Sequence, residues 1–240
     1  MRLNRRRVRA VYRKELREYR RNRGLVSGMA IIPLVFLIQP LAALSATSAR
    51  AAAQLADRHE LLYMLGIPAL VPATLAAYAV VGERQQGTLE PVLTTPIRRE
   101  ELLLGKALAV LIPSVAIAYG VYAAFLGCVE AFAARDVASA FIRGQDVLAQ
   151  LVFTPLIAGW SIWIAVAIST RSGDVRVAQQ LSTLASLPAI AVTTLIALNV
   201  IHATLGLALG LGVALLVANR VGWRVVSAMF DRERLITGSR

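Results

Sequence analysis

Long stretches without a single Asp, Glu, Lys or Arg restrict this chain to very few architectures. Leu25–Leu44, Leu61–Val81, Ala107–Val129 and Val147–Ser169 are uncharged, with Asp146 at the edge of the last. Each is near the ~20 residues that an α-helix needs to cross a ~30 Å hydrocarbon layer. A fifth run, Val177–Ala218, is about twice that length. Its polar interruption, Asn199-Val-Ile-His202, is suited to a tight turn between two crossings. In lipid every backbone N–H and C=O must be paired within the protein, so uncharged runs of this length become helices. The expectation is an all-α polytopic membrane protein, one transmembrane domain over 1–240. Its spans fall at about 25–44, 61–81, 107–129, 147–169, 177–198 and 203–218. The last is the shortest, and Pro188 is placed to bend or break its predecessor.

The number of crossings is tied to the basic residues. With the N-terminus inside, only Arg50, Arg58, Arg135 and Arg143 of the 26 Lys and Arg residues fall in outer segments. The positive-inside rule then places both termini in the cytosol and requires an even number of spans, so six is preferred to five. The expected location is the cytoplasmic membrane. A formal net charge of +12 would in a soluble protein suggest nucleic acid. Here the arginines crowd the span ends, where they anchor topology and meet anionic lipid, so membrane lipids are the expected partner and nucleic acid is not. The small-residue stretch Leu41–Ala49 resembles a cleavage site, but a basic leader of this length before so long an apolar run reads as an uncleaved first span.

Residues 3–22 precede the spans. Leu3, Val8, Val11, Tyr12, Leu16 and Tyr19 recur at three- and four-residue spacing among cations, the pattern of an amphipathic helix lying in the membrane interface. Glu15 and Glu18 are placed to pair with arginines one turn away. Gly24–Gly28 and Gly206–Gly210 have the small-xxx-small spacing that lets helices approach closely, within one chain or between two.

Chemistry is sparse. His59 and His202 are the only histidines and Cys128 the only cysteine. They support neither a metal cluster nor a catalytic triad, and Cys128 reads as a packing residue of the third span. The spans hold no carboxylate in their interior, which disfavours an ion-coupled carrier, since such proteins bind their driving ion at intramembrane ionisable groups.

The remaining polar segment, Gly82–Lys106, lies between the second and third runs. Gly82-Glu-Arg-Gln-Gln-Gly87-Thr88 has the glycine spacing of a phosphate-binding loop but lacks the Lys before the Ser/Thr. Gly105-Lys106 is followed by Ala107 and so lacks the hydroxyl. The chain is therefore expected to bind no ATP or other cofactor itself, to have no enzymatic activity of its own, and to depend on ATP held by a partner. Glu83–Gln86 extends the second span, Gly87 breaks it, and Thr88 caps a short turn whose Leu89, Val92 and Leu93 share a face. Thr95 and Pro96 have the cap and first-turn chemistry of a new helix carrying Glu100 and Glu101. The result is a short helix on the inner membrane face, a knob for another protein's groove.

The pattern Glu83-Arg-x-x-Gly87-Thr88-Leu89-Glu90-x-x-Leu93-x-x-Pro96-Ile97-x-Arg99-x-Glu101-x-x-x-Gly105-Lys106 resembles the cytosolic signature of ABC-2-type permeases, the membrane subunits of ABC exporters. Lys14-Glu15-Leu16, Arg21-Asn22-Arg23, Ala178-Gln179-Gln180 and Phe230-x-Arg232-Glu233-Arg234-Leu235 extend the likeness along most of the chain. The resemblance implies six spans, an interfacial elbow helix, and a cytosolic coupling helix between spans two and three, near Leu89–Thr95. It also implies assembly of two permease copies, identical or different, with two ATP-binding cassette ATPase subunits. Glu83, Gly87, Thr88, Leu89, Glu90, Leu93, Pro96, Arg99 and Glu101 would then couple the permease to its ATPase, with Glu83 and Glu90 near the interface. The competing readings are an ion-coupled secondary carrier or channel and a non-transporting assembly scaffold. Neither accounts for the inserted signature.

Overall fold

The computed structural model describes residues 4–46, 59–87 and 97–229. Among them every regular element is helical: α1 (Arg5–Arg21), α2 (Arg23–Ala46), a 3₁₀ turn (Glu60–Leu65), α3 (Gly66–Gln85), α4 (Arg99–Phe132), α5 (Arg135–Phe141), α6 (Gly144–Arg171), α7 (Val175–Ala197) and α8 (Leu205–Met229). Six of these helices, α2, α3, α4, α6, α7 and α8, are long and apolar enough to cross a membrane. The chain is an all-α polytopic membrane protein.

α3 is the central element. Small and β-branched residues (Ala69, Val71, Ala73, Ala76, Ala77, Ala79, Val80 and Val81) let its neighbours come close, and all of these are buried. It packs most extensively on α6, then on α7, α4 and α2, while α8 lies against the outside of α6. Close approach is literal at Gly66, where a Cβ would fall 2.0 Å from the Phe36 ring of α2. α8 and α2 keep wide apolar faces uncovered, including Leu209, Val213, Leu216, Ile31, Leu34 and Ile38. In a membrane such faces meet lipid or another helix rather than water.

Prolines inside these helices leave backbone acceptors that other groups must satisfy. Pro155 cannot donate to the Leu151 carbonyl, and the Tyr119 hydroxyl of α4 donates to it instead at 2.8 Å. Pro188 neither breaks α7 nor ends it, as the helix runs on to Ala197. α6 and α8 share a polar clasp. The Asn219 amide donates to the Leu156 and Leu215 carbonyls at 2.9 and 2.8 Å, and Trp163 Nε1 donates to Asn219 Oδ1 at 3.1 Å. A Cβ at Gly159 would lie 2.2 Å from Asn219 Oδ1, so the clasp requires glycine there.

Several sequence expectations change. α8 is not short: it continues through Arg220 and Arg224 to Met229, because cations at a span end stop the apolar run without stopping the helix. Cys128 is exposed rather than packed. Gly28, Gly206 and Gly210 have nothing within 4 Å of where a Cβ would stand, and Gly24 meets only its near neighbour Asn22, so the two glycine pairs do not serve packing among the described residues.

Candidate functional site at the α1 end of the bundle

The most concentrated polar chemistry lies where α1, the end of α3 and the start of α4 meet. α1 is capped by Asn4, whose side chain accepts the Arg6 N–H at 3.0 Å. Its buried face is Val8, Val11, Glu15 and Tyr19, a stripe of three- and four-residue steps with one carboxylate on it. The stripe packs on α4 at Gly105, where a Cβ would lie 2.6 Å from Val11 Cβ and 3.1 Å from the Val8 carbonyl. Glycine brings the helices together there, and Lys106 follows immediately.

Lys106 is only 1% exposed along its side chain. Its ammonium donates to Glu15 Oε1 and to the Ala79 carbonyl, each at 2.8 Å, and pairs with Glu83 Oε2 at 2.8 Å. Two donor positions of the ammonium are thus used in hydrogen bonds, and Glu83 adds a charge contact. Lys14 closes the cluster from its half-exposed side, pairing with Glu83, with Glu18 at 3.2 Å and with Glu15 at 3.4 Å. The cluster therefore joins α1, α3 and α4 through charges that would be costly to bury singly. Burial alone would lower the Lys14 pKa, but the neighbouring Glu15 and Glu83 carboxylates outweigh it and hold the group above its ordinary range. Burial alone would raise the Glu15 pKa, and Lys106 and Lys14 overcome it and hold the carboxyl below its ordinary range. Burial, reinforced by Glu15, pushes the Tyr19 hydroxyl well up, so it stays neutral. Oxygens of Glu15, Glu18 and Glu83 approach within 4.8 Å of one another. Lys14 and Lys106 lie among these oxygens as their countercharges.

A second set of contacts fastens the same region. Glu101 accepts the Asn4 N–H at 2.9 Å and the Arg98 N–H at 3.2 Å, and pairs with Arg7 at 3.5 Å. It thereby caps α4 and holds the start of α1. The Ser169 hydroxyl of α6 sits beside the Ala77–Val81 step of α3. It donates to the Ala77 carbonyl at 2.6 Å and accepts from Val80 and Val81 N–H at 3.1 Å each. Arg84 donates to the Thr170 and Ser172 carbonyls at 3.3 and 3.2 Å, tying the end of α3 to the end of α6. α3 then stops at Gln85, and Gly87 takes φ 68°, a left-handed conformation that glycine adopts without Cβ strain.

The candidate residues divide clearly. Glu83 and Glu101 come together with α1. Glu83 is 3% exposed, and its countercharges within the chain are Lys14 and Lys106. Gly87 and Arg99 are exposed, Arg99 pairing with Glu100 at 3.1 Å. Thr88, Leu89, Glu90, Leu93 and Pro96 lie outside the described residues. Ile97 and Arg98 are not helical, so a helix opened by Thr95 and Pro96 does not run through to Glu101; α4 begins at Arg99 with Arg98 as its cap. Glu15 does not pair with arginines of its own helix, because it faces Lys106 across the interface. Glu18 pairs with Lys14.

A family model described as ABC-2 family transporter protein matches residues 9–222, nearly the whole of this bundle. The chain belongs to the ABC-2 transporter family. It is a permease of an ABC-type transporter, a family that typically leaves catalysis to its partner ATPase. No curated relative matches it. In this permease α1, the second span and the third span meet at Lys106. In the sequence Lys106 stands out only as the last residue of the polar segment, ahead of the apolar run that begins at Ala107. The available signal was Glu15, a charged residue at a core position of the Val8–Val11–Tyr19 stripe.

Proposed function

We propose that this permease moves its substrate outward across the cytoplasmic membrane, using ATP hydrolysed by a separate cassette subunit that acts on the segment 82–106. The observation that carries the reading is the triple engagement of Lys106 with Glu15 of α1, Glu83 of α3 and the Ala79 carbonyl. It binds three helices into one unit close to the segment that would receive force. A push on that segment then displaces the second span, the third span and the interfacial helix together. Coupling further requires that the ATPase contact the segment differently in its two nucleotide states. Glu90 and Leu93, with Thr88, Leu89, Pro96 and Arg99 around them, are proposed as the surface that meets the ATPase. The uncovered faces of α2 and α8 leave room for a second permease copy, with the transport path between the two.

The test is copurification of a P-loop ATPase with the tagged permease, followed by ATPase assays in liposomes with Glu90→Ala/Leu93→Ala. The expected result is an associated ATPase whose coupling to transport is lost in the double variant while membrane insertion is unchanged. No associated ATPase, together with ATP-independent flux, would overturn the reading. That outcome would favour a carrier, for which the buried His59–Asp146 pair (Nδ1 to Oδ1 2.6 Å) supplies an ionisable site.

A further inference from the structure

Away from the charge cluster, the faces that α4 and α6 turn into the core carry a set of polar groups without protein partners. On α6, Asp146, Gln150, Thr154 and Ser161 follow at four, four and seven residues, all on one face, and all are buried. On α4, Ser114 and Tyr122 lie eight residues apart on its buried face. Both Gln150 amide atoms and the hydroxyls of Thr154, Ser161, Ser114 and Tyr122 are buried and find no hydrogen-bond partner among the described residues. Asp146 differs, being held by His59, whose own N–H reaches the Ala197 carbonyl at 3.2 Å.

The register places these groups at matching levels along the two helices. Tyr119 of α4 donates to the Leu151 carbonyl of α6, fixing where the two antiparallel helices are level. Both advance about 1.5 Å per residue. Three residues on, Tyr122 is level with the turn between Asp146 and Gln150. Five residues back, Ser114 is level with the turn between Thr154 and Ser161. α4 and α6 pack on each other and both pack on α3, which offers apolar residues here.

We propose that the α4–α6 contact is a buried hydration site, in which ordered water binds Tyr122, Gln150, Thr154, Ser114 and Ser161 and is closed off at the end remote from α1 by the His59–Asp146 pair. The chemistry selects water over other occupants. The orphaned groups are neutral and mix donors with acceptors, whereas a cation would need anionic oxygen, and the one carboxylate present is committed to His59. An acyl chain would leave every polar atom unsatisfied. A water bridging two to four polar groups meets each requirement.

Radiolytic labelling of the permease in lipid nanodiscs, with rapid mixing into ¹⁸O-water, tests the assignment, because radicals formed from bound water mark adjacent side chains. Tyr122 is 4% exposed and Phe125, one turn away, is 1% exposed, so Phe125 is the dry internal control. The expected result is ¹⁸O incorporation at Tyr122 at least several-fold above Phe125, falling several-fold in Gln150→Leu and in Thr154→Val. Equal labelling of Tyr122 and Phe125 in the unmodified chain overturns the proposal even if neither variant folds. Labelling of Tyr122 that both folded variants leave unchanged overturns it as well, since the water would then not be held by the stripe.

Discussion

Replacing Lys106 with Met keeps most of the side-chain volume and removes the charge. The structure states what is lost: ion pairs at 2.8 Å to Glu15 and to Glu83 and a hydrogen bond to the Ala79 carbonyl. Two buried carboxylates would then share Lys14, which already carries Glu18 and is 35% exposed. Breaking a buried ion pair by removing one partner costs about 3–5 kcal/mol, because the remaining charge stays buried. At roughly 2–4 °C per kcal/mol for a chain of this size, Lys106→Met should lower the apparent Tm by about 6–20 °C. The assay is thermal unfolding in a fixed detergent, followed by fluorescence-detected size exclusion. The double variant Glu15→Gln/Lys106→Met removes one charge of each sign and should recover part of the loss, with a coupling of about 0.5–3 kcal/mol. A Lys106→Met protein as stable as the unmodified chain, or a double variant whose cost is the sum of the two single ones, would refute the view that these charges are energetically one unit.

Gly105→Leu would drive a side chain into Val11; overpacking of about 1–3 kcal/mol is expected, with faster proteolysis within α1 as the sign that the helix has lifted. The cluster also sets a pH window. Glu15, held below its ordinary range, contributes stability that is present above the usual carboxylate pKa and is lost as pH falls through its lowered value. Lys14, held above its ordinary range, contributes stability that is full below the usual lysine pKa and is lost as pH rises through its raised value. Unfolding midpoints should therefore be flat across neutral pH and fall at both extremes, with the acid limb shallower in Glu15→Gln. Asn219→Ala strips Trp163 Nε1 and the Leu156 carbonyl of a partner. A loss of about 1–2 kcal/mol is expected by the same thermal assay, with a shift in Trp163 fluorescence.

The crossings were readable in the sequence because lipid forces the backbone to satisfy itself, which turns run length and charge-free composition directly into helices. The ends were less readable for the same reason. Arg220 and Arg224 end the apolar run of α8 but not the helix, and Arg98, rather than Thr95, caps α4. The charge cluster was readable only in part. Choosing the core face of α1 by apolarity alone favours Tyr12 and Leu16, both of which are only half-buried, whereas the buried residue is Glu15. Its partner lies 91 residues away, and no periodicity reports a contact at that separation. Likewise His59 and Asp146, 87 residues apart, become one buried pair only through the packing of α3, α6 and α7.

The separation between Glu15 and Lys106 also orders events during synthesis. α1 leads into α2 through Asn22 alone, whose side chain accepts the Gly24 N–H at 3.1 Å, so the first helix is joined to the first span by a single capped residue. Glu15 and Lys14 are made before the first span, whereas Glu83 and Lys106 are made after it. At about 5–20 residues per second, the 91 residues that separate Glu15 from its partner take roughly 5–20 s to appear. Throughout that interval the carboxylate on the apolar face of α1 must stay in the hydrated interface, and α1 cannot settle into its final seat. Seating of the interfacial helix is therefore a late event that reports successful insertion of the third span, so a chain whose α4 failed to insert would display an undocked, arginine-rich helix at its beginning.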